Sequence, residues 1–396
     1  MSTAAPVFTV QFAELADALK MVAPAVAKRP RVAAVSGVLL ESDGRDMIVT
    51  SNNFHESIVA RVPDAVGAPG RMLVPHLEVT RTLKALVRGM SKPDAESTPV
   101  TIRAHGTDGP VTVHVGESAI PVDTLSLAQF PERPDVPATG VTLPGGEFAS
   151  EARRVLRACG RDDTLPMTYG VKIAPASDGG VTLAATDRYR IAVGHVSALT
   201  SGESPTETLV GGPMLERVLP VLTGDAVRLG TGPDPLGDVV TLSTDRVAVL
   251  LRVHEGTSLD HRAYLPDQTA TTVQVDRREL RTQIERSAGV LAAKEDPRGL
   301  VTVTVTPDGL TTAPHVTNGR DHLRMPALRA HTAGERSMRV HIPSVYLREA
   351  VDSFDTSTLT LHLQSWDRPV LVTAYPDGPT DPFAFKHLLM PVRDPD

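Results

Sequence analysis

One stretch of this chain returns twice more at almost equal spacing. Val10-Gln11-Phe12-Ala13-Glu14-Leu15 recurs as Leu143-Pro144-Gly145-Gly146-Glu147-Phe148, and again as Val275-Asp276-Arg277-Arg278-Glu279-Leu280. The glutamates lie 133 (147 − 14) and 132 (279 − 147) residues apart, and a length of 396 divides into three units of 132. A long internal repeat constrains architecture before any motif does, and solenoid periods run only from roughly 20 to 50 residues. Three copies of one whole domain are expected, at 1–136, 137–268 and 269–396, each of a size that can build its own core.

Other landmarks keep the same period. Helix-like segments stand at Leu73–Leu86, Leu209–Leu219 and His341–Val351, with Pro75, Pro213 and Pro343 at or before their starts. Proline suits that position because its φ is fixed and its missing N–H would be unpaired there anyway. Between the helices of each unit lie apolar runs joined by Asp43-Gly44, Asp178-Gly179 and Asp308-Gly309, which predict hairpins. Later strands are expected at Val111–Val115 and Arg368–Thr373. Each unit reads helix, strands, helix, strands, an α+β layer of two helices on antiparallel sheet. Boundaries should fall near Pro134–Gly140 and Pro266–Thr272, where turn residues cluster.

Aromatic residues make up only 4% of the chain, so packing should be aliphatic. The single cysteine, Cys159, excludes an internal disulfide and a cysteine-based zinc cage. No signal peptide opens the sequence and no apolar run approaches the roughly 20 residues that span a bilayer, so a soluble, cytoplasmic protein is expected.

The formal net charge of −7 disfavours a polyanion partner only if charge is spread evenly. It is not. Arg153, Arg157 and Arg161 follow i, i+4, i+8 and should share a helix face, and Arg81, Lys84 and Arg88 follow i, i+3, i+7. Lys28, Arg29 and Arg31 follow the first helix; Arg217, Arg278 and Arg281 fall on later ones. Many acids lie instead in loops and tails, among them Asp94, Asp162, Asp163, Asp394 and Asp396. Basic helices with acidic loops can hold a polyanion at negative net charge. The ordinary alternative, solvated helix faces, weakens when the stripes recur on equivalent helices.

Three motifs carry a resemblance. Ala185-Thr186-Asp187-Arg188-Tyr189-Arg190-Ile191-Ala192-Val193, Thr124–Pro131 and the terminal Leu388-Leu389-Met390-Pro391-Val392-Arg393 are similar to segments of the bacterial sliding clamp, the β subunit of DNA polymerase III. The resemblance covers the whole chain. It implies a DNA clamp fold of three repeated domains, closed as a head-to-tail homodimeric ring around duplex DNA without sequence readout. It implies no catalysis, no cofactor and no metal. Partners would be the polymerase III α subunit, the clamp loader and other proteins that carry a clamp-binding peptide.

By position, the resemblance places a peptide groove at Thr168, Thr186, Arg188, Tyr189, Arg190, Ile191, Leu259, Ala263, Tyr264, Tyr346, Leu388, Leu389, Met390, Pro391, Val392 and Arg393. Ile191, Leu389, Met390 and Val392 would form its apolar floor. Arg190 and Arg393 would donate to peptide carbonyls or a carboxylate. The basic residues named above would face DNA. The ring would close through Val290-Leu291 against the first unit's second helix, near Leu83 and Leu86, with intradomain core as the alternative.

Several groove positions depart from the family pattern. Thr168 is polar where an aliphatic side chain is common, and Ser258-Leu259-Asp260-His261-Arg262 lacks the family's proline and both aromatics. Ala263 is small, Asp394 and Asp396 add carboxylates, and Asn53 replaces a more usual aspartate. Weaker binding of acidic, apolar peptides is expected. The departures open a second reading: a clamp paralogue that serves a specialised polymerase or replaces a housekeeping clamp blocked by an inhibitor, as in antibiotic self-resistance. An enzyme finds no support, for the chain has no phosphate loop, nucleophile elbow or metal-spaced set. A clamp-like scaffold that does not encircle DNA would have no need of the basic stripes.

Overall fold

The computed structural model describes the chain except for residues 1–4, 107–108, 133–135, 137–139, 201, 204, 235–236, 256–259, 267–268, 317–324, 335–336 and 394–396. The segments expected to hold the boundaries, at 134–140 and 266–272, therefore lie partly outside the described residues.

Each recurring hexapeptide is a strand that runs directly into a helix. Val7–Gln11 leads into Phe12–Val22, Val141–Pro144 into Gly145–Leu156, and Thr271–Asp276 into Arg277–Ala293. The second landmark of each repeat has the same form. Gly70–Pro75 precedes His76–Leu86, Thr208–Gly211 precedes Gly212–Val218, and Met338–Pro343 precedes Ser344–Asp352. Leu73-Val74-Pro75 and its two counterparts thus finish strands rather than begin helices. Their β-branched residues favour extended backbone, and proline is tolerated at a strand's end.

The helices bury one stripe. In Phe12–Val22 the covered residues are Leu15, Ala18, Leu19 and Val22, the i, i+3, i+4, i+7 pattern of an amphipathic helix. The predicted hairpins are present: Gly37–Ser42 pairs with Met47–Asn52, Gly170–Pro175 with Val181–Thr186, and Leu300–Thr306 with Gly309–Pro314. In the first, Gly44 has φ +100°, and the Asp43 carboxylate accepts the N–H groups of Arg45 (2.9 Å) and Asp46 (3.2 Å). Side-chain capping of this kind is why aspartate precedes glycine in such turns.

The chain packs as two compact units, Met1–Gly145 with Arg217–Val253, and Gly146–Glu216 with His254–Asp396. The first holds a five-stranded sheet and an eight-stranded sheet, all antiparallel. In the eight-stranded sheet, Val247–Arg252 of the middle repeat pairs with Glu56–Val62 of the first, Val249 opposite Ile58. The second unit holds a three-stranded sheet and a nine-stranded one. In the latter, Arg190–Val196 of the middle repeat pairs with Lys386–Leu389 of the last. The middle repeat therefore contributes strands to both units.

Both interiors are mostly aliphatic around a few phenylalanines, with Phe8, Leu40, Met47 and Ile102 fully covered in the first unit and Phe148, Phe354, Leu280 and Ile284 in the second. A polar network in the second unit interrupts this. Gln283 and Ser287 occupy buried positions of the Arg277–Ala293 helix. The Gln283 amide oxygen accepts from Thr312 N (2.6 Å) and Oγ1 (2.9 Å), its nitrogen donates to Pro326 O (2.6 Å), and Ser287 donates to Thr312 O (2.9 Å). Leucine at position 283 would keep the volume and orphan Thr312 N–H and Pro326 C=O. Q283L should lose about 2–4 kcal/mol of stability, read as a lower urea midpoint with an unchanged m-value.

Candidate functional site

The two motifs that carried the resemblance meet in one sheet. Arg190 stands opposite Leu389, Ile191 opposite Leu388 and Ala192 opposite His387. Ile191 and Leu388 are covered together with Ala184, Val193 and Leu371, and Leu265 packs against the cluster. Beyond the paired strands, Met390 N donates to Tyr189 O (2.8 Å) and Val392 N to His341 O (2.8 Å). The terminal segment is thereby held between a turn on one side and a strand end on the other.

That turn is fixed by its own side chains. Thr186 Oγ1 donates to Arg190 O (2.7 Å) and accepts from Arg188 N (3.0 Å). Asp187 Oδ1 accepts from Tyr189 N (3.0 Å) and Arg190 N (3.1 Å). Arg190 is covered, and its guanidinium is held by Asp187 (2.9 Å) and by Glu349, with Tyr346 under it at 4.6 Å. The guanidinium is covered and already paired with two carboxylates, which corrects the expectation that Arg190 stands as a free donor for an incoming peptide. Glu349 went unnoticed in the sequence. Its signal was there, because it lies three residues beyond Tyr346 on one helix face.

The surface beside this turn is aromatic and apolar. Tyr189 is 54% exposed and stacks on Tyr346 with ring centres 6.0 Å apart. Met390 and Pro391 are half-buried, while Val392, Tyr264, Ala263, Arg188 and Arg393 are exposed. Leu389 is wholly covered, so it supports the floor from beneath and does not line it. Thr168 is likewise covered and donates its hydroxyl to Leu165 O (3.0 Å), so it does not present the polar surface expected of it. Leu259 and the acids Asp394 and Asp396 lie outside the described residues. A cavity of about 510 Å³ adjoins, lined by Ala263–Pro266, Gln364, Asp367–Pro369 and Met390. Neither Leu265 nor the Gln364–Pro369 segment had been anticipated, for nothing local marks a hairpin tip as a wall.

The basic residues divide by their partners. Lys28, Arg29, Arg31, Arg81, Lys84, Arg88, Arg153, Arg157, Arg161 and Arg278 are exposed. Arg217 is held by the buried carboxylate of Glu56, and Arg281 by Asp352 (2.6 Å) and Glu285 (2.7 Å), so these two carry less free charge than expected. The stripe expected at Arg153, Arg157 and Arg161 is not one helix face. The helix ends at Leu156, and i→i−3 bonds such as Ala158 N to Val155 O (3.0 Å) tighten the chain out of register.

The residues expected at a ring closure divide too. Leu83 and Leu291 are 1% and 2% exposed, core residues of their own units, whereas Leu86 and Val290 are half-buried. Helical periodicity accounts for the correction, since each covered leucine belongs to its helix's buried stripe. Leu83 backs a groove of about 650 Å³ between the helices Phe12–Val22 and His76–Leu86. Asn53 accepts from His55 N (3.0 Å) and Glu56 N (2.9 Å), a role its oxygen fills as an aspartate would.

Known proteins are similar to this chain. A family model described as DNA polymerase III beta subunit, N-terminal domain, matches residues 7–134. The beta sliding clamp of Streptomyces coelicolor is 26% identical over 386 residues, 96% of this chain and 97% of that protein. The beta sliding clamp of Micrococcus luteus is 30% identical over 227 residues, 57% of this chain and 67% of that protein. The crystal structure of a DNA polymerase sliding clamp from Bacillus subtilis superposes with a TM-score of 0.84 at 17% identity, over 99% of this chain and 100% of that one.

The strand beneath the site carries a buried titratable group. His387 is wholly covered, bonds Ser353 Oγ through Nδ1 (3.2 Å), and has no hydrogen-bond partner at Nε2. Burial, reinforced by the charges of Arg190, Arg157 and Arg154, pushes its pKa down to about 3. His261 and His362, also covered, are pushed down to about 4, chiefly by burial. Above the unfolded value near 6.5 all three are neutral in both states. As pH falls below it, the unfolded chain takes up protons that the fold refuses, so stability is lost towards the folded values. Unfolding free energy should therefore fall from pH 7 to pH 5. H387N should flatten that slope by up to about 1.4 kcal/mol per pH unit, measured by denaturant titration across the range.

Proposed function

The chain belongs to the bacterial β sliding clamp family, and from that premise we propose that it encircles duplex DNA as a head-to-tail ring dimer and tethers a DNA polymerase. The family is a non-catalytic processivity factor, and we infer that this chain likewise performs no chemistry. Its three repeats, 1–136, 137–268 and 269–396, would each supply one clamp domain.

The observation that carries the reading is the pairing of Arg190–Val196 with Lys386–Leu389 beside exposed Tyr189 and Val392 and half-buried Tyr346 and Met390. Aromatic residues and methionine offer contact area that adapts to several peptides. A bound polymerase would then meet its template again at the high local concentration that tethering supplies. Exposed Lys28, Arg29, Arg31, Arg81, Lys84, Arg88, Arg153, Arg157, Arg161 and Arg278 support a phosphate-facing surface, with Arg217 and Arg281 contributing less. Such contacts are independent of base sequence and weaken with salt, which suits sliding. Ring closure would seat the half-buried Val290 of one copy near Leu86 and the groove backed by Leu83 of the next. Polymerase III α subunit, clamp loader and other clamp-binding proteins are the partners this implies, in the cytoplasm.

A second reading is favoured by the remodelled rim. Small Ala263 and exposed Tyr264 border a 510 Å³ cavity beside the docking surface. A clamp with this rim would serve a specialised polymerase, or replace a housekeeping clamp whose groove an antibiotic blocks. Calorimetry with a standard clamp-binding peptide separates the two, and affinity equal to an ordinary clamp's removes the second.

Loading assays test the principal reading. After a clamp loader acts, the protein should remain on nicked circular DNA and run off linear DNA. A monomer at micromolar concentration that is never retained on circles would refute it. Reversing Arg81, Lys84 and Arg153 to glutamate should shorten retention on circles and reduce its salt dependence, leaving the far-ultraviolet circular dichroism unchanged.

A further inference from the structure

Among the described residues, five other than glycine have positive φ: Arg29, Phe54, Asp64, Arg188 and Glu295. Arg188, at φ +80°, stands at the tip of the Thr186–Arg190 turn. A β-carbon is crowded in that region, and glycine is the residue that occupies it without strain. The turn itself makes no use of the arginine side chain. Its hydrogen bonds run through Thr186 Oγ1, Asp187 Oδ1 and backbone N–H groups, all of which a glycine at 188 would preserve.

The strain is thus kept for something beyond the turn. Arg188 is exposed and adjoins Tyr189, whose ring stacks on Tyr346. The neighbouring guanidinium, Arg190, is occupied by Asp187 and Glu349. Asp162 is near enough for Arg188 to help hold its carboxyl low, but that carboxylate is tied first to Thr164 Oγ1 (2.6 Å) and Thr164 N (3.0 Å). Arg188 is therefore, with Arg393, a cation that this rim exposes, and it is the one beside Tyr189.

We propose that Arg188 reads a carboxylate on the docked partner, an aspartate or glutamate beside the apolar anchor that rests on Tyr189, Tyr346 and Met390. The inference rests on the docking role proposed above and deepens it by naming the partner's charge. Strain kept at a functional position is a recognised pattern, and a guanidinium matches a carboxylate in two parallel hydrogen bonds.

The test selects random decapeptides on the full chain and on its Arg188→Gly and Arg188→Lys variants. Wild-type and R188K pools should be enriched in apolar anchors flanked by Asp or Glu. The R188G pool should keep the anchors and lose the acid. A synthetic peptide from the wild-type pool should bind R188G roughly three- to tenfold more weakly. The same peptide with asparagine for its acid should bind wild type and R188G alike. R188G should melt at or above the wild-type temperature, because the strain is gone. Acid enrichment that persists on R188G, or that is absent from wild type while anchors are present, overturns the inference and leaves the docking surface standing. So does an R188G variant that melts several degrees lower, for the side chain would then be structural. A selection that enriches no apolar anchor on any variant removes the docking surface itself, and this inference with it.

Discussion

Hydrogen bonding between strands of different repeats is the interaction on which the rest depends. Val247–Arg252 adds to the first repeat's Glu56–Val62, and Arg190–Val196 adds to the last repeat's Lys386–Leu389. Each addition satisfies backbone groups that an isolated repeat would leave as an open edge, and an exposed edge invites uncontrolled pairing. Register follows from side-chain alternation: Ile191 and Leu388 lie directly opposite and are both covered, and a one-residue slip of either strand would move its side chains to the opposite face of the sheet. The same pairing brings the Thr186–Arg190 turn against the terminal segment. The candidate site is thus a product of sheet continuity, and no single repeat contains it.

Much of this was legible in the sequence. The glutamate period gave three α+β repeats, and aspartate-glycine turns located the hairpins, because both signals are local and repeat in register. The helix starts were displaced. Val74, Val210 and Ile342 end strands, and only long-range pairing tells a strand that abuts a helix from the helix itself. Burial at single positions was less legible. Leu83, Leu291, Leu389 and Thr168 all belong to interiors, and which apolar residue faces a partner depends on the rotation of its helix or strand. Arginines were the hardest to place, since a sequence shows charge and not its neighbour.

Those neighbours decide how a chain of net charge −7 can still hold an anion. Arg154 donates to Ser353 O (2.6 Å), pairs with Glu151 and lies 3.7 Å over Phe385, so its charge serves the fold. Arg190 and Arg217 are neutralised by Asp187, Glu349 and Glu56. Arg246 is matched by Glu14 (2.7 Å) and Asp17 (3.6 Å). Subtracting such pairs removes cations and anions together. Arg81, Lys84, Arg88, Arg153, Arg157 and Arg278 remain exposed on and beside the helices, together with acids such as Glu147, Glu216 and Glu279. Charges within a Debye length of about 8–10 Å act on a phosphate backbone, and more distant acids are screened. Local sign, not the total, then governs association.

Burial, reinforced by the charges of Arg190, Arg157 and Arg154, keeps His387 neutral. Nearby, Arg190 binds Asp187 and Glu349, and Asp187 also fixes the turn that carries Arg188 and Tyr189. The ionic cluster thereby serves two ends. It compensates buried charge, where removing one partner of such a pair costs roughly 3–5 kcal/mol, and it holds the aromatic surface rigid. Rigidity matters at a docking site because immobilising each side chain on binding otherwise costs about 0.5–1.5 kcal/mol. A surface already ordered by its own salt bridges can bind a short peptide with little of that loss.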